Sequence, residues 1–361
     1  MKILTQFLSA LTLLLFVFII EGCDGGNYYT VGDYATVPKA DVHVHIRTDR
    51  DAFVKQAIED QFKLVNIVVD GAGTWQGIRD QFHFTQVQQK AHPDQFRTIA
   101  AFSVEDFHEP GWSSRTIAWM DSCFREGAIG IKVWKNIGMV LKDTNGSNVM
   151  LDDPRLDSVF DYIASQNKIL FAHQGEPFNC WLPLEQMTTN NDRSYFKEHP
   201  EYHMYQHPDL PTYHQLMAAR DRRMEKNPEI PFVGAHMASI EWNVDTLAAW
   251  LDKYPKATID LAARMGQVFY QAQQDPERVR NFFIKYQDRI MYATDDGDRG
   301  ASDPKDLAND LHNTWLRDWT FFVSDQVMKS DLIEGDFRGI KLPGTAVDQI
   351  FYGTAKRVFG F

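Results

Sequence analysis

Two histidines separated by one residue, His43 and His45, form the segment of this chain best suited to chemistry. Residues 40–46 alternate with the period of two that defines a β-strand, so both imidazoles are expected on one face, opposite the neighbouring valines. Two neutral imidazoles about 7 Å apart can bind one divalent cation. Taken alone, the pair is equally consistent with surface or core histidines, so the other elements must decide.

Three more polar residues follow apolar runs at the same relative point. His173 follows Ile-Leu-Phe-Ala, His236 follows Phe-Val-Gly-Ala, and Asp295 follows Ile-Met-Tyr-Ala-Thr. A lone histidine is more often structural, and an aspartate before a turn is often a helix cap. Four histidines and an aspartate at matching strand ends are hard to explain as packing.

Eight short runs rich in Ile, Val, Phe and Ala predict strands, with segments of helical period between them. These runs are Asp41 to Ile46, Lys63 to Val69, Thr98 to Val104, Ile129 to Trp134, Lys168 to His173, Pro231 to His236, Ala257 to Leu261 and Arg289 to Thr294. The alternation favours an α/β fold, a (β/α)8 TIM barrel forming a single catalytic domain over residues 35–361. Active sites of such barrels lie at the C-terminal strand ends, so the polar residues should share one pocket. The long connection 174–211 is predicted to be a lid or binding loop.

The N-terminal segment has the pattern of an export signal. Residues 7–20 form an almost unbroken apolar run after Lys2, and Gly22-Cys23 resembles the lipobox of bacterial lipoproteins, although Glu21 departs from it. We expect a signal peptide over residues 1–23, a flexible tether over 24–34, and a protein exported to the periplasm or outer cell envelope and lipid-anchored to a membrane at Cys23. An uncleaved anchor and an ordinary secretory signal are the alternatives.

Composition excludes some partners. The net charge is −12, from 37 basic and 49 acidic residues, and no basic cluster occurs, so neither nucleic acid nor electrostatic attachment to anionic lipid is expected. A small-molecule substrate is the expected partner, and the oligomeric state, homo-oligomers included, stays open. Cys123 and Cys180 could pair in an oxidising compartment, which the sequence does not decide.

The ordered motifs resemble the amidohydrolase superfamily, specifically the amidohydrolase-2 branch that includes aminocarboxymuconate semialdehyde decarboxylase. The resemblance extends from the paired histidines through His173, His236 and Asp295 to the closing segment 342–355. It implies a metal held by His43, His45, His173 and Asp295, with His236 and Asp295 as catalytic residues. Zinc is the expected ion, with manganese or iron as alternatives.

A metal-dependent hydrolase is the function that these residues favour. A metal-activated water would attack an amide, ester or lactone of a small polar substrate, Asp295 would accept the proton, and His236 would steady the developing charge. The alternative is a non-oxidative metal-dependent decarboxylase of a small carboxylic acid, because the same branch uses this ligand set for that reaction. Lys132 should point into the barrel, where it would pair with a carboxylate or contact substrate. The resemblance implies a less favoured alternative, because binuclear members of the superfamily carry on this strand a carbamylated lysine that bridges two metals.

A few mouth residues are weaker candidates. Arg47 and Arg50 could bind a substrate carboxylate, Arg264 could reach the site or pair with Asp260, and Glu176 could face the mouth. Solvated loop arginines are the commoner case for Arg47 and Arg50, and Glu176 could simply face water.

Overall fold

The computed structural model describes residues 27–361, so the predicted signal peptide and Cys23 lie outside the described residues. Eight parallel strands follow one another around the sheet in chain order. They are β1 (Lys39–Ile46), β2 (Phe62–Ile67), β3 (Phe96–Ala101), β4 (Gly130–Val133), β5 (Ile169–Ala172), β6 (Phe232–Gly234), β7 (Thr258–Asp260) and β8 (Ile290–Met291). Each overlaps one predicted run, and the TIM-barrel prediction is confirmed.

A short ninth strand, β9 (Gly297–Asp298), closes the barrel against β1. It pairs in parallel with His45 and Ile46, and the chain just before it already bonds to β1 through the Val42 amide and the Tyr292 carbonyl at 3.2 Å. Arg50 binds both carboxylate oxygens of Asp298, at 2.6 and 2.7 Å. The first and last strands therefore meet beside the paired histidines.

Helices cover the outside of the sheet and pack against its strands. They span Ala52–Glu59, Trp75–Ala91, Trp112–Arg125, Asp157–Ser165, Asn190–Glu198, Tyr213–Lys226, Val244–Lys253, Met265–Gln274, Pro276–Lys285, Pro304–Val323, Gly344–Asp348 and Thr354–Phe359. An outer apolar layer joins them to the strands, and a smaller cluster that includes Phe171, Val233 and Phe359 fills the barrel interior. A two-stranded antiparallel hairpin, β10 (Val327–Met328) and β11 (Phe337–Arg338), lies outside the barrel.

The predicted tether is docked on the barrel from residue 27 onward. Val31–Ala35 forms a 3-10 helix, Tyr29 donates a hydrogen bond to Asp348 at 2.8 Å, and Trp319 donates to the Thr30 carbonyl at 3.2 Å. These contacts order a stretch for which glycine and polar content predict flexibility. No helix within residues 27–361 has the length and apolar character to cross a membrane.

The connection after β5 is folded rather than extended. It contains the helix Asn190–Glu198 and 3-10 turns, packed on an apolar cluster that includes Cys180 and Phe196. Cys180 and Cys123 are both buried and free, so they do not form a disulfide.

Candidate metal centre and active site

An irregularity in β1 sets the direction of the paired histidines. The pairing of β1 with β2 shifts register between Asp41 and Val44. Val42 packs in the interior cluster, whereas Val44 packs in the outer layer. The prediction that both valines share one face is therefore wrong for Val42, because the β-bulge inserts a residue and resets the alternation before the histidines.

His43 is buried at the centre of the site. Its Nδ1 lies 2.8 Å from Oδ2 of Asp260 on β7, and its Nε2 lies 3.2 Å from Oδ1 of Asp295. Lys132 Nζ is 3.3 Å from the same Nε2 and 4.6 Å from the centre of the Phe171 ring. Lys132 thus points into the barrel.

His45 and Asp295 complete the side of the site where the barrel closes. His45 Nδ1 contacts the Ile67 carbonyl at 2.8 Å, and its Nε2 lies 3.1 Å from Asp295 Oδ1. The Asp295 amide donates to the His43 carbonyl at 2.9 Å, and its φ of 75° turns the carboxylate back over β1. With 30% of its side chain exposed, Asp295 opens to the mouth of the barrel.

Asp41 fixes this arrangement from behind. One of its oxygens accepts the amide of Thr294 at 3.1 Å, and the other accepts the Thr294 hydroxyl at 2.6 Å and the Trp315 indole at 3.0 Å. Burial raises the pKa of Asp41 to about 7. This residue ties the start of β1 to the chain that presents Asp295.

His173 and His236 form the opposite side. His173 Nδ1 lies 3.2 Å from His236 Nε2, and His236 Nδ1 lies 2.8 Å from the Ala262 carbonyl. His173 Nε2 is buried without a hydrogen-bond partner among the described residues. A buried ring nitrogen left in this way is costly unless a ligand completes it.

His236 begins a turn that few sequences adopt. His236, Met237, Ala238 and Ser239 have φ values of 57°, 56°, 54° and 55°, all in the left-handed region and none of them glycine. Bonds at 3.0 Å from the amides of Ser239 and Ile240 to the carbonyls three residues back close the turn. Because left-handed L-residues cost about 1–2 kcal/mol each, surrounding contacts must hold it.

The electrostatics separate neutral histidines from an ionised carboxylate. Burial, together with nearby cationic groups, holds the pKa values of His43, His173 and His236 well below the usual histidine value. Burial alone would raise the pKa of Asp295, but His43 and His236 hold it well below its ordinary value. Burial lowers the pKa of Lys132 to about 8.

The five predicted site residues therefore lie together, three of them in mutual proximity and two joined through a single neighbour each. Ligand atoms of His43, His236 and Asp295 all fall within 4.8 Å of one another; His45 joins through Asp295, and His173 through His236. Neutral imidazoles beside an ionised carboxylate are the donor set that a divalent metal ion prefers. The residues present fit such an ion.

The weaker candidates divide into two groups. Arg50 is committed to Asp298, and Glu176 is paired with Lys135. The Nε atoms of Arg47 and Arg264 are buried without a hydrogen-bond partner in the described chain. Arg264 Nε lies 4.0 Å from a Glu241 oxygen. Of the two alternatives for Arg264, the pairing with Asp260 is therefore wrong, because His43 and two backbone amides already occupy that carboxylate.

Sequence reasoning missed the contact between Asp260 and His43, and it missed the left-handed turn. Asp260 is the last residue of β7, and Asp295 follows β8, so a carboxylate at the C-terminal side of an apolar run is the signal that could have placed Asp260 in the pocket. The segment 235–239 carries no glycine to indicate left-handed backbone.

The model of the family described as Amidohydrolase matches residues 90–361. The chain belongs to the amidohydrolase family. No curated protein sequence is significantly similar to this amidohydrolase.

Solved structures share the fold of this amidohydrolase at low sequence identity. The 2,6-dihydroxybenzoate decarboxylase from Rhizobium is 12% identical, with a TM-score of 0.52 over 90% of this chain and 99% of that chain. The 5-carboxyvanillate decarboxylase from Novosphingobium aromaticivorans, complexed with manganese and 4-hydroxy-3-methoxy-5-nitrobenzoic acid, is 12% identical, with a TM-score of 0.51 over 92% and 100%. A dihydroxybenzoic acid decarboxylase from Polaromonas with bound manganese is 13% identical, with a TM-score of 0.50 over 90% and 97%.

Proposed function

We propose that this amidohydrolase is a metal-dependent decarboxylase that removes CO2 from a small carboxylic acid without a redox cofactor. The observation that carries the proposal is a metal-binding set of neutral histidines and an ionised aspartate, bordered by buried cationic side chains. Lys132 and Arg264 are 1% and 6% exposed, and the buried Nε of Arg264, 4.0 Å from Glu241, has no hydrogen-bond partner within residues 27–361. An anionic substrate would satisfy these donors.

The hydrogen bonds of the ring nitrogens support His43, His45, His173 and Asp295 as the metal ligands. In His43 and His45, Nδ1 faces an oxygen acceptor at 2.8 Å, so we place the proton there and the lone pair on Nε2. Both Nε2 atoms lie within 3.2 Å of Asp295 Oδ1, so an ion would be held by the two nitrogens and that carboxylate together. His236 Nδ1 also faces a carbonyl, so its Nε2 accepts from His173 Nδ1–H. The His173 Nε2 lone pair is then free as the third nitrogen ligand, and His236 is not needed as a ligand.

Manganese and zinc are the favoured ions. The histidine-rich set suits zinc, whereas two decarboxylases of similar fold were solved with manganese. When bound, the ion supplies Lewis-acid polarisation of the substrate oxygens.

The protein residues have separate roles in the proposed reaction. Lys132 and Arg264 bind and orient the anionic substrate. The bond from the carboxyl carbon to its neighbour breaks, the electron pair stays on that neighbour, and a proton replaces the departing CO2. Asp295, partly exposed and ionised, carries that proton from solvent to the carbon. The His236 ring lies 4.8 Å from the ring of His43 and borders the substrate while it holds His173.

Hydrolysis of an amide, ester or lactone is the second candidate. The observation in its favour is the same ionised Asp295, which can accept a proton from an attacking water. Decarboxylation is the better supported of the two, because the three solved structures of similar fold described above are decarboxylases.

Isotope labelling separates the two reactions. Manganese- or zinc-loaded protein is supplied with a panel of hydroxybenzoates, other small carboxylic acids, amides and lactones in D2O and, separately, in 18O-labelled water. Decarboxylation releases CO2 and places deuterium on the carbon that lost it. Hydrolysis places 18O in a new acid and leaves the carbon skeleton unlabelled. A new 18O-labelled acid with no CO2 would replace the proposal with the second candidate.

A further inference from the structure

We infer that Asp260 is a positioning residue that sets both the proton-bearing nitrogen of His43 and the backbone of His236, so that one buried carboxylate aligns the two sides of the metal centre. The inference rests on the proposed metal site. It concerns a residue on β7 that touches neither the proposed ion nor a substrate.

The first half of the role is the contact to His43. Asp260 Oδ2 lies 2.8 Å from His43 Nδ1, and both side chains are buried, at 0% and 1% exposure. A carboxylate has no proton to donate, so Nδ1 must carry the hydrogen. The Lys132 ammonium, 3.3 Å from His43 Nε2, donates to that nitrogen, so Nε2 keeps its lone pair, which is the tautomer that a metal ligand needs.

The second half of the role is the left-handed turn. Asp260 Oδ1 accepts the amide of His236 at 2.6 Å and the amide of Ala262 at 3.2 Å. The far end of the turn is held separately, by Tyr213, whose hydroxyl donates to the Ser239 carbonyl at 2.6 Å, and by Arg220, which donates to the Ala238 carbonyl. Asp260 therefore holds the first residue of the strained turn, His236, by its backbone amide.

Both oxygens of Asp260 act as acceptors, and this demands a carboxylate. Asparagine has the same shape but only one acceptor oxygen. If that oxygen keeps the His236 and Ala262 amides, the amide NH2 faces His43 Nδ1 and favours the tautomer with hydrogen on Nε2. If the amide flips, two backbone donors in the turn lose their partner.

The experiment compares Asp260→Asn with the wild-type chain, using Mn2+ and Zn2+ alone as probes. Calorimetry or chelator competition should show metal affinity reduced by ~10- to 100-fold, as for other residues that orient a metal ligand. 15N NMR of the metal-free proteins should show His43 protonated at Nδ1 in the wild type and at Nε2 in the variant. A purely structural role would change stability and leave this nitrogen signal unmoved.

Asp318→Asn is the matched control. Asp318 is 1% exposed and accepts from Tyr292 and Arg317 at 2.9 and 2.8 Å, so its replacement removes an equally buried carboxylate behind β8. We expect lower thermal stability with metal affinity within about twofold of wild type, since no histidine ring depends on it.

Three results would overturn the inference. They are unchanged metal affinity in Asp260→Asn, an equal loss in Asp318→Asn, and wild-type His43 protonated at Nε2. The last needs no variant, so it decides the matter even if Asp260→Asn does not fold. A wild-type chain that binds neither ion would instead contradict the proposed function, and the nitrogen signals would still test Asp260.

Discussion

The histidines of this site are distinguished by what their second ring nitrogen contacts. His43 faces a carboxylate, His45 and His236 face backbone carbonyls, and His173 faces another histidine. Strand order and the period of two were enough to place all four rings in one pocket. Their hydrogen-bond partners come from β2, β7 and the segments after β6 and β7, and no local pattern specifies contacts between elements so distant in sequence.

Replacing His236 and replacing His173 should have different effects. We expect His236→Asn to reduce the turnover rate by ~100-fold or more, because it removes a group beside the reacting atoms, while metal content stays nearly intact. His173→Asn should lose the metal. Elemental analysis and turnover of the substrate found by the isotope screen provide the measurements. His203, equally buried but bonded to the Leu182 carbonyl in the β5 connection, is the control. A metal-free His236→Asn protein would contradict the ligand assignment.

Lys132 should keep a free ammonium group. It lies over the Phe171 ring at 4.6 Å, a cation–π contact that a carbamate would lose. We therefore expect about one metal per chain, unchanged when bicarbonate is added during loading, as measured by elemental analysis. Two metals per chain with bicarbonate-dependent activity would place Lys132, His173 and His236 in a two-metal centre instead.

Asp70 should make stability fall as the pH rises. Burial raises its pKa to about 6, against hydrogen bonds from Val104, Asn136 and Ser103 that lower it. The folded protein thus holds a proton that the unfolded chain releases near pH 4. Protonated Asp70 therefore adds about 2–3 kcal/mol to the free energy of unfolding. This stabilisation is complete below about pH 4 and is lost as the pH rises through about 6.

Urea unfolding at pH 4.5 and 7.5 measures this contribution. Asp70→Asn should show a smaller difference in unfolding free energy between the two pH values than the wild-type chain. Replacing the exposed Asp94 with Asn should leave the difference unchanged. Equal pH dependence in all three proteins would refute the role of Asp70.

Among the elements, the left-handed turn after β6 has the tightest packing requirement. A Cβ at Gly234 would lie 2.6 Å from Cβ of Ala238, inside the turn itself. We expect Gly234→Ala to displace His236, with a loss of stability of about 1–3 kcal/mol and a marked fall in turnover. At Gly71, after β2, an added Cβ would meet its nearest atom at 3.8 Å, so Gly71→Ala is the control. Wild-type turnover in Gly234→Ala would show that the turn does not position His236.

The same turn shows where prediction from sequence ends. The strands were predictable because their apolar runs are short, branched and bounded by polar residues. The sixth predicted strand extended through His236, whereas the observed strand ends at Gly234. The turn that follows escaped prediction because its conformation is imposed by Asp260, Tyr213 and Arg220 from other elements. The bulge in β1 escaped for a similar reason, because it is set by pairing with β2 rather than by β1 itself.

For the whole molecule, the location of the protein remains a proposal based on residues 1–23. We propose export and lipid attachment at Cys23, with the barrel held beside a membrane. Cys23→Ser should move the protein from the membrane fraction to the soluble fraction of cells, as followed by immunoblotting after fractionation. Cys123→Ser, at a buried and free cysteine, is the control and should stay with the membrane. A wild-type chain with an intact N-terminus in the cytoplasm would refute the proposal.

The short strand β9 has a consequence for how the molecule opens. His43 and His45 stand on the first strand, and Asp295 stands between the last two, so the seam of the cylinder runs through the proposed metal ligands. An ion bound there would fasten the two edges of the sheet to each other. Ion binding would then stabilise the closure of the barrel. The amides of residues 42–47 should exchange with deuterium much faster in the ion-free protein.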